Sequence, residues 1–188
     1  KSAVACAYAW GRLTGEPGVV FSNPGPGITN LVSGLLEATS GSVPVVAITN
    51  GVVQRYDGMG AFQELDTHTL MKPVTKWSNR VTDIRRVPWV MQRAFSVARN
   101  GRPGATFVEI PSDLSSQTAP MPDYEASTPR QRSRPETAAV AAAAALVQAA
   151  KQPVLLCGGG SIVAQAQAEV ERLGMLIGAP VLTTPSGR

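Results

Sequence analysis

The chain has 188 residues, of which 44% are hydrophobic, 16% charged and 5% aromatic; this describes a folded globular chain of one domain, or one domain and part of another, and excludes a disordered one. Its formal charge of +4 comes from 17 scattered Lys and Arg residues, and the one short cluster, Arg130, Arg132 and Arg134, sits among prolines and polar residues, which reads as a solvated connector and argues against a nucleic-acid surface. No apolar run approaches the roughly 18–20 residues of a spanning helix, and the first residues lack the pattern of a secretory signal, so no membrane partner is expected.

With so few aromatic residues the core has to be built from Ala, Val, Leu and Ile, which suits a parallel sheet covered by helices. The expected fold class is therefore α/β. Cys6 and Cys157 stand far apart in apolar surroundings without a Cys-x-x-Cys spacing, which disfavours a zinc site or a disulfide framework and fits a reducing cytoplasm. The single histidine, His68, argues against a His-rich metal site or a serine or cysteine triad within the chain.

Residues 2–13, SAVACAYAWGRL, carry apolar side chains all round, the pattern of a buried helix, and Gly15 is placed to end it. GVVFS at 18–22, bounded by Pro17 and the NPGPG stretch at 23–27, predicts a buried parallel strand feeding a tight loop. Thr29 or Asn30 is placed to cap a helix over 31–38, and PVVAIT at 44–49 predicts the next strand, completing a right-handed βαβ unit. Residues 50–66 are irregular and Gly-rich, and are expected to run over the carboxyl ends of the strands, where α/β folds place their ligands. A helix over 83–100 puts Val87, Val90, Met91, Ala94, Phe95 and Ala98 on one face, and the turn at 101–104 leads into a strand at 105–110 that Pro111 ends.

The first domain is expected to span 1–114. Residues 115–135 contain Pro120, Pro122, Pro129 and Pro135 with mixed charges and hydroxyls, the composition of an extended linker. A second α/β unit over 136–188 follows, with a helix at 136–150, a strand at 153–157, a turn at Gly158-Gly159-Gly160, a helix at 162–177 and a strand at 180–184. The chain starts in mid-helix and stops just after a strand, so both ends read as cut.

Two segments are placed to carry chemistry. In PGPGITN at 24–30, glycines between a strand and a helix let backbone N–H groups approach a flat or anionic ligand, although a plain tight turn explains them equally well. In GAFQE at 60–64, Gln63 can bind a heterocycle through its amide and Phe62 can wall an apolar pocket. Glu64 and Asp66 offer an acid/base pair, but two carboxylates on a loop are more often simply solvated.

The ordered succession TGEPGVVF, GPGITNLVSGLLEA, SVPVVAITN, GAFQELD, KPVTKW and GRPGATFVEIPSDL resembles the pyrimidine-binding domain of thiamine-diphosphate enzymes of the acetolactate synthase group. The match covers residues 1–114, without the domain's first strand and helix, and the tail with QPVLLCGGG and GAPVLTT resembles the beginning of that family's central domain. The resemblance implies that the pyrimidine ring is held by the GPG-x-TN loop and by the Gln of the FQE motif. Carried over, Pro26 and Asn30 match the loop contacts, Asn23 takes a position that is often Thr, and Gln63 matches the amide. Phe62 matches an aromatic residue that lines the substrate pocket. The family's activating Glu falls immediately before Lys1, so no catalytic residue is assigned within the chain.

Diphosphate and Mg2+ are held in that family by a separate domain whose motif has no match here. Gly158 and Gly159 occupy a turn where some members contact FAD, and a tight turn explains them at least as well. The implied activity is decarboxylation of one 2-keto acid and condensation with a second, in branched-chain amino-acid biosynthesis. A second subunit of a homodimer or tetramer completes the active site, so this chain is not expected to catalyse alone. Glyoxylate carboligase-like, aryl or acyl keto-acid decarboxylase-like and acetyltransferase-like activities stay open, as does a non-catalytic interaction module with the same fold.

Overall fold

Three of the four strands of the first unit form on the apolar runs. β1 (Gly18–Ser22), β2 (Val45–Gly51), β3 (Trp77–Arg80) and β4 (Ala105–Pro111) make one sheet in the order β1-β2-β4-β3. Every pair is parallel, with Gly18 opposite Val45, Val45 opposite Ala105 and Trp77 opposite Thr106. The two central strands are buried along nearly their whole length, as expected of a parallel sheet covered on both faces. β3 has no counterpart in the sequence reading. Three of its four residues are polar and all four are half-buried, because an edge strand needs only one hydrogen-bonded neighbour and no apolar run.

The computed structural model describes residues 1–120 and 133–187, and the chain divides into two compact units, Lys1–Gln131 and Arg132–Arg188. Most of the expected linker, with Arg130 and Arg132, lies outside the described residues.

In the first unit α1 (Ser2–Thr14), α2 (Pro26–Thr29) and α3 (Val32–Ser40) precede β2. α4 (Thr67–Met71), α5 (Val87–Arg99) and α6 (Ser112–Ser115) follow it. One sheet face packs Val20, Val45, Ala47 and Phe107 against Val4, Ala7, Ile28 and Leu35. The other packs Val46, Ile48 and Val108 against Val90, Ala94 and Ala98, as the spacing of the 83–100 helix predicts. Lys76 closes the end of α5 by donating to the carbonyls of Val97 and Asn100, and burial pushes its pKa down.

α1 is not buried all round. Only Val4, Ala7 and Gly11 are fully buried, while Trp10 and Leu13 are exposed, because one helix face is all that a single sheet can cover. Gly11 permits that contact, since a Cβ there would stand 2.5 Å from the Pro44 carbonyl oxygen. Gly15 ends the helix as expected, at φ 73° with its N–H on the Gly11 carbonyl. β1 likewise alternates, with Val20 buried and Phe21 71% exposed, so it is an edge strand and not a fully buried one.

In the second unit α7 (Thr137–Ala149) leads to β5 (Leu155–Cys157), α8 (Gly159–Ala164), α9 (Gln167–Ile177) and β6 (Val181–Thr183). β5 and β6 pair in parallel, Leu155 opposite Val181. The single helix expected over 162–177 is two. Gln165 takes the left-handed conformation at φ 56° and ends α8, and Gly159 and Gly160 lie in the helix and not in a turn before it.

Candidate functional site

The carboxyl ends of β1, β2, β3 and β4 carry Ser22, Gly51, Arg80 and Pro111. The loops leaving them build the site. After β1 the chain turns at Gly25, buried at φ 57°, and Pro26 opens α2. Neither Thr29 nor Asn30 caps α3. Both side chains bond back to the Pro26 carbonyl, Thr29 Oγ1 at 3.0 Å and Asn30 Nδ2 at 2.8 Å, so one N–H of the Asn30 amide fixes the turn.

After β2, residues 52–66 arch over the sheet. Asp113 fastens the start of the loop, accepting from the Gln54 amide N–H at 3.1 Å and from Gln54 Nε2 at 3.2 Å. Glu64 folds the tip by accepting from the backbone N–H groups of Gly58 and, at 2.9 Å, Ala61. These two bonds, Gly58 first, hold its pKa below the ordinary value. Asp66 caps α4, accepting from the Thr69 N–H at 3.0 Å, and the Thr69 hydroxyl and N–H lower its pKa as well. Both carboxylates therefore work on the backbone, and they do not form an acid/base pair.

Gln63 stands at φ 64°, a conformation that is rare outside glycine and that marks a local constraint. Its backbone and Cβ lie against the loop from β1. A Cβ on Gly25 would be 2.9 Å from Gln63 Cβ and 3.1 Å from its carbonyl oxygen, so glycine at 25 is what lets the two loops touch. Beside this contact lies a cavity of about 290 Å3 whose walls include Pro24, Ile28 and Gln63. Asn23, Pro26 and Asn30 are exposed on the neighbouring loop and do not line it, and Phe62 projects outward at 89% exposure.

The floor of the cavity is charged. Arg80 forks onto Asp57, both bonds at 2.6 Å, and its Nε lies 3.3 Å from Glu109 Oε1. Glu109 sits in the middle of the sheet at 5% exposure and accepts from the Thr67 hydroxyl. Burial raises its pKa, and the Thr67 hydroxyl and Arg80 partly offset this. Asp57, Glu64, Asp66 and Glu109 against Arg80 make the lining acidic. A ring with N–H donors is welcome there, whereas a diphosphate is repelled. None of Arg80, Asp57, Glu109 or Thr67 appears among the residues singled out from the sequence. The visible signal was Glu109, a carboxylate inside the otherwise apolar run ATFVEIP.

In the second unit Gly158 and Gly159 contact their own chain. A Cβ on Gly159 would be 3.2 Å from the Ser186 carbonyl oxygen, and one on Gly158 would meet Thr184 Oγ1 at 3.8 Å. An apolar hollow of about 680 Å3, lined by Ile162, Val170, Met175 and Val181, lies on this unit. Among the described residues no group of His, Cys, Asp and Glu is arranged to hold a metal ion, and no helix is long and apolar enough to cross a membrane.

Residues 1–70 match the family described as thiamine pyrophosphate enzyme, N-terminal TPP binding domain, and residues 140–188 match the central domain of the same enzymes. The whole chain aligns with an acetolactate synthase large subunit of Cyanidium caldarium at 35% identity, covering 33% of that protein. It aligns equally fully with acetolactate synthase 3, chloroplastic, of Brassica napus at 38% identity, covering 29% of it. An acetolactate synthase of Mycobacterium bovis is 38% identical over 97% of the chain and 30% of its own length. The chain thus spans about a third of the length of the relatives it matches.

Proposed function

The chain belongs to the thiamine pyrophosphate enzymes, and on that premise we propose that its first unit grips the pyrimidine ring of thiamine diphosphate between the Gly25 turn and Gln63, within an acetolactate synthase. The observation that carries this is the contact of those two loops beside an acidic cavity at the carboxyl ends of parallel strands. Gln63 offers an amide that both donates and accepts, matching a ring that carries an amino group and ring nitrogens. Pro24 and Ile28 supply apolar walls. Asn23, Pro26 and Asn30 act through the shape of the turn, as the Asn30 amide is bonded to Pro26. Phe62, exposed beside Gln63, faces the substrate once a neighbouring element closes over the loop.

Thiamine diphosphate, when bound, supplies the carbanion chemistry that lets a 2-keto acid lose carbon dioxide and join a second keto acid. This chain contributes the ring seat. Mg2+ and the diphosphate belong to another part of the protein in this proposal, the acidic lining being one that repels a diphosphate. FAD contact at Gly158 and Gly159 has less support, because the Ser186 carbonyl oxygen already packs on Gly159. A homodimer or tetramer and a cytoplasmic site complete the proposal, although some relatives are chloroplastic by name.

The test is to supply the protein that carries this chain with thiamine diphosphate, Mg2+ and pyruvate. Acetolactate and carbon dioxide in equal amounts are expected. Carbon dioxide with an aldehyde, or condensation of glyoxylate in place of pyruvate, would move the protein to a sister activity, and no turnover with any keto acid would favour an interaction module.

A further inference from the structure

We propose that Arg80 is a positioning residue that, through Asp57, latches the 52–66 loop and the left-handed backbone of Gln63 onto the end of the sheet. The functional half of this rests on the reading of Gln63 as a ring-binding residue; the mechanical half does not. The loop is costly to order. Gly58, Gly60 and Gln63 all stand at positive φ, and the Glu64 clamp ties the tip only to itself. Its two ends are fastened, by Asp113 to Gln54 and by the Asp66 cap of α4. Between those points Asp57 is the side chain that reaches back to the sheet.

Arg80 is built to receive it. The guanidinium fork takes both Asp57 oxygens at 2.6 Å, a planar match that a lysine does not reproduce. Its Nε side faces Glu109, which also accepts from Thr67, the first residue of α4. One guanidinium thus joins the loop tip, the edge strand β3 and the central strand β4, with α4 linked through Glu109. The arrangement depends on Gly51, where a Cβ would stand 2.2 Å from Glu109 Oε1. Three carboxylates other than Asp57 share the cavity with Arg80, and the pairing of Asp57 with Arg80 keeps the loop's own charge from being pushed off that acidic floor.

Asp57→Asn separates this role from bulk stability, because it removes the partner on the exposed side and leaves Arg80 beside buried Glu109. Arg80→Met strands Glu109 and is the harsher variant, whereas Arg80→Lys keeps the charge and loses the fork. Hydrogen exchange and thiamine diphosphate titration are measured on each in the protein that carries this chain. In Asp57→Asn, amides 58–64 are expected to exchange about tenfold faster or more while the core strands exchange at the unmutated rate. Cofactor affinity is expected to fall roughly fivefold, with Arg80→Lys intermediate. Unchanged exchange at 58–64 in Asp57→Asn overturns the latch. Faster exchange with unchanged affinity overturns its role in seating the cofactor. If the unmutated protein binds no thiamine diphosphate, the ring-binding reading fails, and the exchange data alone decide the latch.

Discussion

The two units use the same elements to different effect. In the first, β2 and β4 are buried on both faces, with Phe107, Val45 and Val108 at 1% exposure or less. In the second, β5 and β6 leave Leu156, Val181 and Leu182 at the surface, and none of the 13 residues of α7 is buried. Strands of similar composition become a core only where helices cover both faces and neighbours stand on both edges. Two strands with one neighbour each leave most of their side chains toward the surface. The site follows the same division, since the charged cavity with its fastened loop lies on the well-packed unit and the second unit offers an apolar hollow.

The largest effect that tests this contrast is a core truncation. Phe107→Ala should cost about 3–5 kcal/mol in denaturant unfolding, as an aromatic removed from a filled core does, while Leu182→Ala should stay within about 0.5 kcal/mol. Equal losses would break the comparison. A smaller effect comes from close backbone contacts. Gly18→Ala puts a Cβ 2.0 Å from the Ala7 carbonyl oxygen and should cost about 1–3 kcal/mol through forced backbone shifts. Gly160→Ala meets nothing within 4 Å in helix α8 and should stabilise by up to about 1 kcal/mol.

The smallest effects are in the pH dependence, and their signs differ. Glu109 has its pKa raised by burial, so its contribution favours folding below the ordinary 4.5 and is lost as pH rises through the raised value. Glu64 has its pKa lowered, so its contribution is present above 4.5 and is lost as pH falls through the lowered value. Unfolding free energy measured from acid to neutral pH should therefore lose part of its acid limb in Glu64→Gln. In Glu109→Gln the decline on the rising limb should shrink. The same slope in both variants would contradict the assignment of one as a surface clamp and the other as a buried charge.

Much of this was legible in the sequence, and what was not has a physical reason. GVVFS, PVVAIT and ATFVEI announce their strands by short, largely apolar runs, and α5 announces its buried face by its period. WSNR gives no such signal because edge pairing is a backbone affair. The exposed half of α1 was misread because composition reports how apolar a helix is and not how much surface stands ready to cover it. At the site, Gln63 and the glycine turn could each be picked out, but their contact depends on Gly25 at φ 57° meeting Gln63 at φ 64°, and no spacing rule encodes two loops 38 residues apart. The Arg80, Asp57 and Glu109 cluster joins a loop to two different strands, and only the carboxylate in a buried strand hinted at it.

The account turns on Gln63 and the Gly25 turn forming one seat for a flat nitrogen ring. Calorimetric titration of thiamine diphosphate into the protein that carries this chain, unmutated and as Gln63→Ala, tests it most directly. The unmutated protein should bind saturably and Gln63→Ala about tenfold more weakly, the loss of one or two hydrogen bonds at ~1.4 kcal/mol in all. Equal affinities in the two proteins would place the ring elsewhere and contradict the assignment.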